Sequence, residues 1–286
     1  MMAGLEDELG DVIAKARAGS GLTPHQLAQA TGVSEKEVQD LESCRFTPSS
    51  HALARLAEAL SLDRDKLEDI AHARWHPAAS PDPSDDILLA RIHVGYGAYG
   101  SNCYVVGCRA SQAAAVIDPG GEVEAVDRTL VTANLKPEVA LITHGHHDHT
   151  GGLSQMVERW PELRVYSHPA ERSSLPAQAQ GLWHPAEEGL WLALGHLSVD
   201  VRHTPGHTAG STCYMVDGFC FVGDTLFAGS IGRLGAAHGR AQEGLYRQML
   251  AHIRAKVLSL PPSTRILPGH GPATTVGEEL AHNPFF

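Results

Sequence analysis

Apolar residues recur at helical spacing through the first 75 residues of the chain. The first group is Leu5, Leu9, Val12, Ile13 and Ala16, and four shorter groups follow it up to residue 70. Apolar positions that repeat every three or four residues share one face of a helix, which can pack against a core. The pattern therefore predicts five short helices in about 70 residues, which form a compact all-α domain over residues 1–75.

Polar residues mark where these helices begin and end. Thr23 precedes Pro24, which suits the first turn of a helix. Ser34 lies three residues before Glu37, the spacing of a capping box, and Gly32 separates two of the helical groups.

The pattern changes after residues 76–86, a segment of prolines, small residues and acidic residues that predicts an extended linker. Beyond it, short apolar runs typical of strands alternate with helix-like stretches. The predicted strands are 87–92, 103–106, 114–117, 140–143, 164–166, 197–201, 219–222 and 265–267, and the predicted helices are 123–133, 153–160, 244–258 and 274–282. This alternation predicts an α/β domain over residues 87–286, with its sheets covered by helices.

A histidine-rich segment, residues 143–152, follows one predicted strand. It reads Thr-His-Gly-His-His-Asp-His-Thr-Gly-Gly. Side chains alternate along an extended loop, so His144 and His146 are expected to point the same way. Asp148 and His149 then turn in beside them as the chain enters the next helix. Imidazoles and a carboxylate that converge in this way predict a metal site, with room for two ions.

Three further fragments place a possible ligand just after a predicted strand. They are Pro205-Gly206-His207, Gly223-Asp224-Thr225 and Pro268-Gly269-His270. Loops at strand ends present functional groups from a rigid scaffold. The same residue types in Gly- and Pro-rich turns at four strand ends indicate one composite metal site.

Composition excludes several classes of protein. The formal net charge is −11, from 22 Lys and Arg against 33 Asp and Glu, which argues against a broad nucleic-acid surface. No apolar run approaches the ~18–20 residues of a membrane span, and the acidic N-terminus does not resemble a signal peptide. The five cysteines form no Cys-x-x-Cys pair. We therefore expect reduced thiols, a cytoplasmic protein and no membrane partner.

The ligand pattern resembles that of the metallo-β-lactamase superfamily, over about residues 87–286. The matching residues are Thr143, His144, His146, Asp148, His149, His207, Asp224 and His270. The resemblance implies an αββα sandwich, preceded here by the small all-α domain. It also implies that the site lies along one edge of the sandwich.

The same resemblance implies two divalent metal ions, with zinc expected first and iron or manganese as alternatives. One ion would be bound by His144, His146 and His207, and the other by Asp148, His149 and His270. Asp224 would bridge them. His147 falls at a variable position of the family pattern and is not expected to be a ligand. A metal-bound hydroxide would attack a carbonyl, and the two aspartates, Asp148 and Asp224, would orient it.

Further segments resemble short glyoxalase II-like hydrolases: 101–104, 117–121, 223–227, 232–233 and 268–285. The implied substrate is a thioester of the S-lactoylglutathione type. Arg233 is a candidate for binding a substrate carboxylate, with anchoring of its own loop as the equal alternative. The chief enzymatic alternative is a persulfide dioxygenase with one iron on His144, His207 and Asp224. A true β-lactamase and an RNA-processing nuclease are less favoured.

The segment Gly21–Glu42 resembles a Cro/repressor-type helix-turn-helix, with residues 34–43 as its recognition helix. Ser34 and Lys36 are the candidate DNA-binding residues. Residues 1–75 hold 8 Lys and Arg against 13 Asp and Glu, which disfavours binding to phosphates. The resemblance also implies a structural salt bridge between Arg17 and Glu42 and admits a homodimer. Three hypotheses stay open: a hydrolase with a docking domain, a DNA-binding regulator with a metal-domain sensor, or both activities together.

Overall fold

The computed structural model describes residues 4–78, 86–95, 100–235 and 240–286. Five helices occupy the N-terminal region, as the apolar spacing predicts. They are α1 (Leu9–Gly19), α2 (Pro24–Thr31), α3 (Glu35–Glu42), α4 (Ser50–Leu60) and α5 (Arg64–Ala71).

The residues predicted to begin and end these helices do so in the structure. The Thr23 hydroxyl accepts a hydrogen bond from the backbone N–H of Gln26 and caps α2. Gly32 ends that helix at φ 65°, a left-handed conformation that glycine adopts at low cost. Ser34 and Glu37 form the capping box of α3. The guanidinium of Arg17 also binds Glu42, with one N–O distance of 2.8 Å, so that salt bridge is confirmed.

Two six-stranded mixed sheets follow. The first has the order β1-β2-β3-β4-β5-β6, and the second β14-β13-β10-β9-β8-β7. The strands of the first are β1 (Ile87–Val94), β2 (Ser101–Cys108), β3 (Ala113–Ile117), β4 (Lys136–Leu141), β5 (Arg164–Ser167) and β6 (Trp183–Pro185). Those of the second are β7 (Trp191–Leu194), β8 (Leu197–His203), β9 (Thr212–Val216), β10 (Phe219–Gly223), β13 (Arg265–Pro268) and β14 (Thr274–Thr275). A small hairpin pairs β11 (Leu226–Phe227) with β12 (Ser230–Ile231).

Four of the described helices between and after these strands cover the outer faces. They are α6 (Val123–Thr132), α8 (Leu153–Arg159), α9 (Arg240–His252), which continues as a π-turn over Ile253–Val257, and α10 (Val276–His282). A single turn, α7 (His147–Thr150), lies at the edge of the sandwich. The architecture is the predicted αββα sandwich behind an all-α region.

Central strands are apolar on both faces because each sheet is buried on both sides. In β2, Cys103 and Val105 face the cluster beneath α6 and α8, whereas Tyr104 and Val106 face the second sheet. Strand side chains alternate between the two faces of a sheet, so a strand between two cores shows a continuous apolar run.

The helical region is not a separate globule, because it shares one hydrophobic cluster with the outer face of the second sheet. Helix α1 packs so closely on α9 that a Cβ added to Gly19 would lie 2.5 Å from the Tyr246 ring. Trp75 stacks on His282 at 4.8 Å between ring centroids. Of the predicted linker, residues 79–85 lie outside the described part of the chain.

Several boundaries differ from the expectations. The strand expected at 140–143 is β4, which ends at Leu141 and leaves Thr143 in the loop that carries the histidines. Residues 274–275 pair as β14 ahead of the expected helix. The pattern missed the strands β6, β7, β9, β11, β12 and β14. All five cysteines are free thiols. Among the described residues, no helix is long and apolar enough to cross a bilayer.

Candidate metal centre

All seven expected metal ligands lie in loops or short turns at strand ends. His144 and His146 follow β4, and Asp148 and His149 lie on the single turn α7. The other three, His207, Asp224 and His270, follow β8, β10 and β13. Because these strands belong to two facing sheets, their ends bring residues more than 120 positions apart to one edge of the sandwich.

The first cluster contains three imidazoles and one carboxylate. The Nδ1 atom of His146 lies 3.0 Å from Nε2 of both His144 and His207. Asp224 Oδ2 lies 3.5 Å from His207 Nε2 and 4.0 Å from His144 Nε2. In tetrahedral coordination with bonds of ~2.0–2.1 Å, ligand atoms lie ~3.3 Å apart. This set could hold one metal ion.

The second cluster lies on the other side of Asp224. The Nε2 atoms of His149 and His270 are 3.3 Å apart, and Asp148 Oδ2 lies 3.4 Å and 3.2 Å from them, respectively. Asp224 again completes the set, with Oδ1 3.5 Å from His149 Nε2 and Oδ2 3.6 Å from His270 Nε2. The carboxylate therefore faces both clusters and could bridge two ions.

The partners of the outer ring nitrogens orient four of the imidazoles. His207 Nδ1 lies 2.7 Å from the carbonyl oxygen of Arg233, and His270 Nδ1 lies 3.0 Å from that of Gly100. A carbonyl oxygen can only accept, so Nδ1 must carry the proton and Nε2 keeps a free lone pair toward the clusters.

Asp118 performs the same task for the other two imidazoles. Its Oδ2 atom accepts hydrogen bonds from Thr143 Oγ1 at 2.6 Å and His149 Nδ1 at 3.1 Å. The Thr143 oxygen in turn accepts from His144 Nδ1 at 3.1 Å. Asp118, His144 and His149 also form a compact group, but Asp118 meets the Nδ1 side of His149 and acts as an outer partner.

The expectations did not include a role for Asp118. Its signal was present, because Asp118 follows a strand and precedes Pro-Gly-Gly, like the other strand-end fragments. Thr143 thus connects Asp118 to His144. Thr208 bonds Ser211 within its own turn, whereas Thr225 bonds Thr204 in the loop after β8.

Glu171 is a second residue that the sequence did not reveal. Its buried carboxylate accepts the backbone N–H of Gly145 and that of Gly210, each at 2.8 Å. These two amides belong to the loops of His144–His146 and of His207. One side chain therefore joins the two loops that build the first cluster, although a single glutamate in a short turn carries no recognisable sequence signal.

The pKa values of the buried histidines His144 and His149 are shifted in opposite directions. Burial, and then neighbouring histidines, hold the pKa of His144 well below its usual value. Burial also lowers the pKa of His149, but the carboxylates of Asp224, Asp118 and Asp148 outweigh it and raise that pKa well above the usual value. For Asp148, burial is outweighed by hydrogen bonds from His149 and His270, which lower its pKa. Such strongly shifted pairs are typical of functional sites.

The donor set fits divalent metal ions. The Oδ1 atom of Asp224 is buried and has no hydrogen-bond partner among the described residues. A buried carboxylate oxygen without a partner is costly unless a cation binds it. A Cβ added to Gly269 would lie 2.4 Å from this atom, so glycine is needed for the close approach.

The remaining candidate residues belong to neither ligand cluster. His147 is exposed and belongs to none of the three ligand groups found among the described residues. The Arg233 side chain lies at the cavity above the clusters, where its Nη2 is 3.5 Å from Asp11 Oδ1 on α1. Ser34 Oγ donates to Glu37, and Lys36 pairs with Asp40 at 2.6 Å.

Comparison with known proteins identifies both regions. Residues 96–270 match the family model of the metallo-beta-lactamase superfamily, and residues 8–70 match a helix-turn-helix domain. The hydroxyacylglutathione hydrolase GloC of Haemophilus influenzae is 35% identical over 188 residues, which are 60% of this chain and 86% of that protein.

Two solved structures are also similar to this chain. The crystal structure of the B3 metallo-beta-lactamase BLEG-1 has a TM-score of 0.57 and 32% identity, with 68% of this chain and 99% of that chain covered. TTHA1623, crystallised in a di-iron-bound form, has a TM-score of 0.53 and 35% identity, with coverage of 68% and 100%. About two thirds of this chain thus spans nearly the whole of each of these two solved proteins.

Proposed function

The chain belongs to the metallo-β-lactamase superfamily, and from that premise we propose that it is a hydrolase whose metal centre binds two divalent ions. The observation that carries the proposal is the position of Asp224, whose carboxylate faces a complete ligand set on each side. His144, His146 and His207 would hold one ion, and Asp148, His149 and His270 the other. When bound, two such ions lower the pKa of water from ~15.7 toward ~7 and polarise a carbonyl group.

The protein's own groups would orient the reactants. Asp224 is partly buried between the clusters and lines the cavity above them, whereas the Asp148 side chain is 31% exposed. Both carboxylates can accept a hydrogen bond from the attacking water and direct its lone pair toward the substrate carbonyl. Asp118 keeps the Nδ1 atoms of two imidazoles protonated, so that their Nε2 atoms stay available as ligands.

We propose a thioester of the S-lactoylglutathione type as the substrate. The similarity to a hydroxyacylglutathione hydrolase supports this class. The chemistry of the site also supports it, since a thiolate with a pKa near ~8.5 leaves without a strong general acid. The described residues of the two ligand sets are imidazoles and carboxylates that would bind metal, and none of them is kept free to donate a proton.

Metal analysis combined with a substrate panel tests the proposal. We expect about two metal ions per chain, of zinc, iron or manganese, and hydrolysis of S-lactoylglutathione faster than that of a lactone or a β-lactam. Stoichiometric single iron, together with oxygen consumption on a glutathione persulfide, would replace the hydrolase by a dioxygenase.

For the helical region, we propose docking against the catalytic domain in preference to DNA binding. Lys36, the cation on the recognition helix, and Arg45, just beyond its end, are already paired, because Asp40 binds Lys36 at 2.6 Å and Arg45 at 3.0 Å. His25 likewise pairs with Glu35. A gel shift with the gene's own upstream DNA at low salt should show no complex; a salt-dependent complex would instead support the regulator with a metal-domain sensor.

A further inference from the structure

The helical region forms one side of the cavity above the metal centre. This cavity has a volume of about 470 Å³. Glu6, Asp7, Asp11 and Lys15, all from α1 and the residues just before it, line it opposite the ligands His207 and Asp224. We call these four residues the α1 wall. A substrate that lies in this cavity with its carbonyl group at these ligands contacts this wall.

The α1 wall is firmly attached to the catalytic domain. Lys15 is buried, and its Nζ donates to the carbonyl oxygen of Ile231 at 2.7 Å and lies 4.8 Å from the centre of the Phe227 ring. Gly271, directly after the ligand His270, has φ 72°, and a Cβ there would lie 2.8 Å from Cβ of Glu6. This close packing makes the wall a fixed part of the cavity.

Two of the acidic groups in the α1 wall are already neutralised. Asp7 pairs with Lys15, and Asp11 pairs with Arg233 at 3.5 Å. Glu6 differs from them, because none of the described residues forms a hydrogen bond or an ion pair with its carboxylate. Its main electrostatic neighbours are His270, Asp7, Lys15 and Asp224. Among the acidic residues of the α1 wall, the carboxylate of Glu6 is therefore the one that could pair with a cationic group of a substrate.

Glu6 is also partly withdrawn from water. A carboxylate that has lost hydration without gaining a partner is stabilised by a cation that enters the cavity, and it repels a second anion.

We propose that Glu6 binds an ammonium group on the thiol part of the substrate, so that the α1 wall selects substrates by charge. This inference rests on the proposed hydrolysis of a thioester, and it assigns the helical region a part in substrate recognition. The similarity to TTHA1623 and BLEG-1 covers all or nearly all of those proteins but about two thirds of this chain. Residues 87–286 make up a similar share of this chain. The α1 wall is thus an addition to the catalytic fold that those proteins share with this chain.

Binding of two thioether probes to the full-length, metal-loaded protein tests the inference without turnover. S-Methylglutathione carries a free ammonium group, which is absent from its N-acetylated form. By isothermal titration calorimetry, the wild type should bind the free amine about three- to tenfold more tightly, the range expected for a partly exposed ion pair. Glu6→Gln should lose this preference. Glu58→Gln, the same change on an exposed face of α4, should keep it.

The outcomes separate the inference from the proposed function. Equal binding of both probes by the wild type, no binding of either, or an unchanged preference in Glu6→Gln would overturn the role of Glu6. Because the wild-type comparison needs no variant, a folding defect in Glu6→Gln cannot obscure it. Preference for the amine without hydrolysis of S-lactoylglutathione would refute the thioesterase alone, whereas hydrolysis without preference would refute the inference alone.

Discussion

Replacing Asp118 by asparagine should weaken the metal centre without touching a ligand. Three donors converge on this buried carboxylate: Thr143 N at 2.7 Å, Thr143 Oγ1 at 2.6 Å and His149 Nδ1 at 3.1 Å. An amide offers an oxygen on one side only, so in either orientation its NH₂ group faces at least one of these donors. A buried donor without an acceptor costs about 1–3 kcal/mol.

That cost should appear as lost metal affinity. At about 1.4 kcal/mol per factor of ten, the expected loss is about five- to 150-fold, and outer partners of ligating histidines often contribute ~10–100-fold. The measurement is metal content by mass spectrometry after dialysis against graded chelator, together with the melting temperature of the metal-loaded protein. Asp217→Asn is the matched control, since Asp217 is exposed and its φ of 43° is close to the φ of 50° at Asp118. If Asp118→Asn retained both ions within about threefold of wild-type affinity, the assigned proton positions would be wrong.

Three other changes test separate parts of the structure. Glu171→Gln removes a charged acceptor that joins two ligand loops. We therefore expect the free energy of metal binding to weaken by about 1.5–3 kcal/mol, measured as reduced metal retention and a lower turnover number. His146→Ala should lose one ion per chain and all turnover, whereas His147→Ala should retain the wild-type metal content in the same assay. Burial raises the pKa of Glu279 to about 7 from 4.5. Between these two pH values the folded state therefore keeps a proton on Glu279 that the unfolded state has lost. Stability should therefore fall as pH rises from about 4.5 to 7, by on the order of 3 kcal/mol, and urea unfolding of Glu279→Gln should show a flatter profile.

The candidate ligands, which the structure brings together, could be named from the sequence because metal chemistry constrains residue types strongly. The strand-end positions of His207, Asp224 and His270 carry that signal even though they are far apart in the chain. Asp118 was present in a recognisable strand-end motif, but its partners are known only when β3 and β4 lie side by side. Glu171 had no local signal, because its role is to join two loops.

The hairpin strands β11 and β12 were missed for a related reason. Residues 226–227 and 230–231 are too few for periodicity, and they form a hairpin through pairing with each other and packing against α1. Tertiary contacts, which sequence periodicity cannot measure, stabilise such elements.

The sequence by itself determined the five N-terminal helices, the layered α/β domain and the candidate metal-ligating residues, since periodicity, capping and ligand chemistry are local properties. Only the tertiary structure decided how the two regions meet. The proline-rich segment predicted a linker, yet the helices share a core with the second sheet. That docking depends on complementary surfaces from distant parts of the chain, and it brings Glu6 to the metal-site cavity.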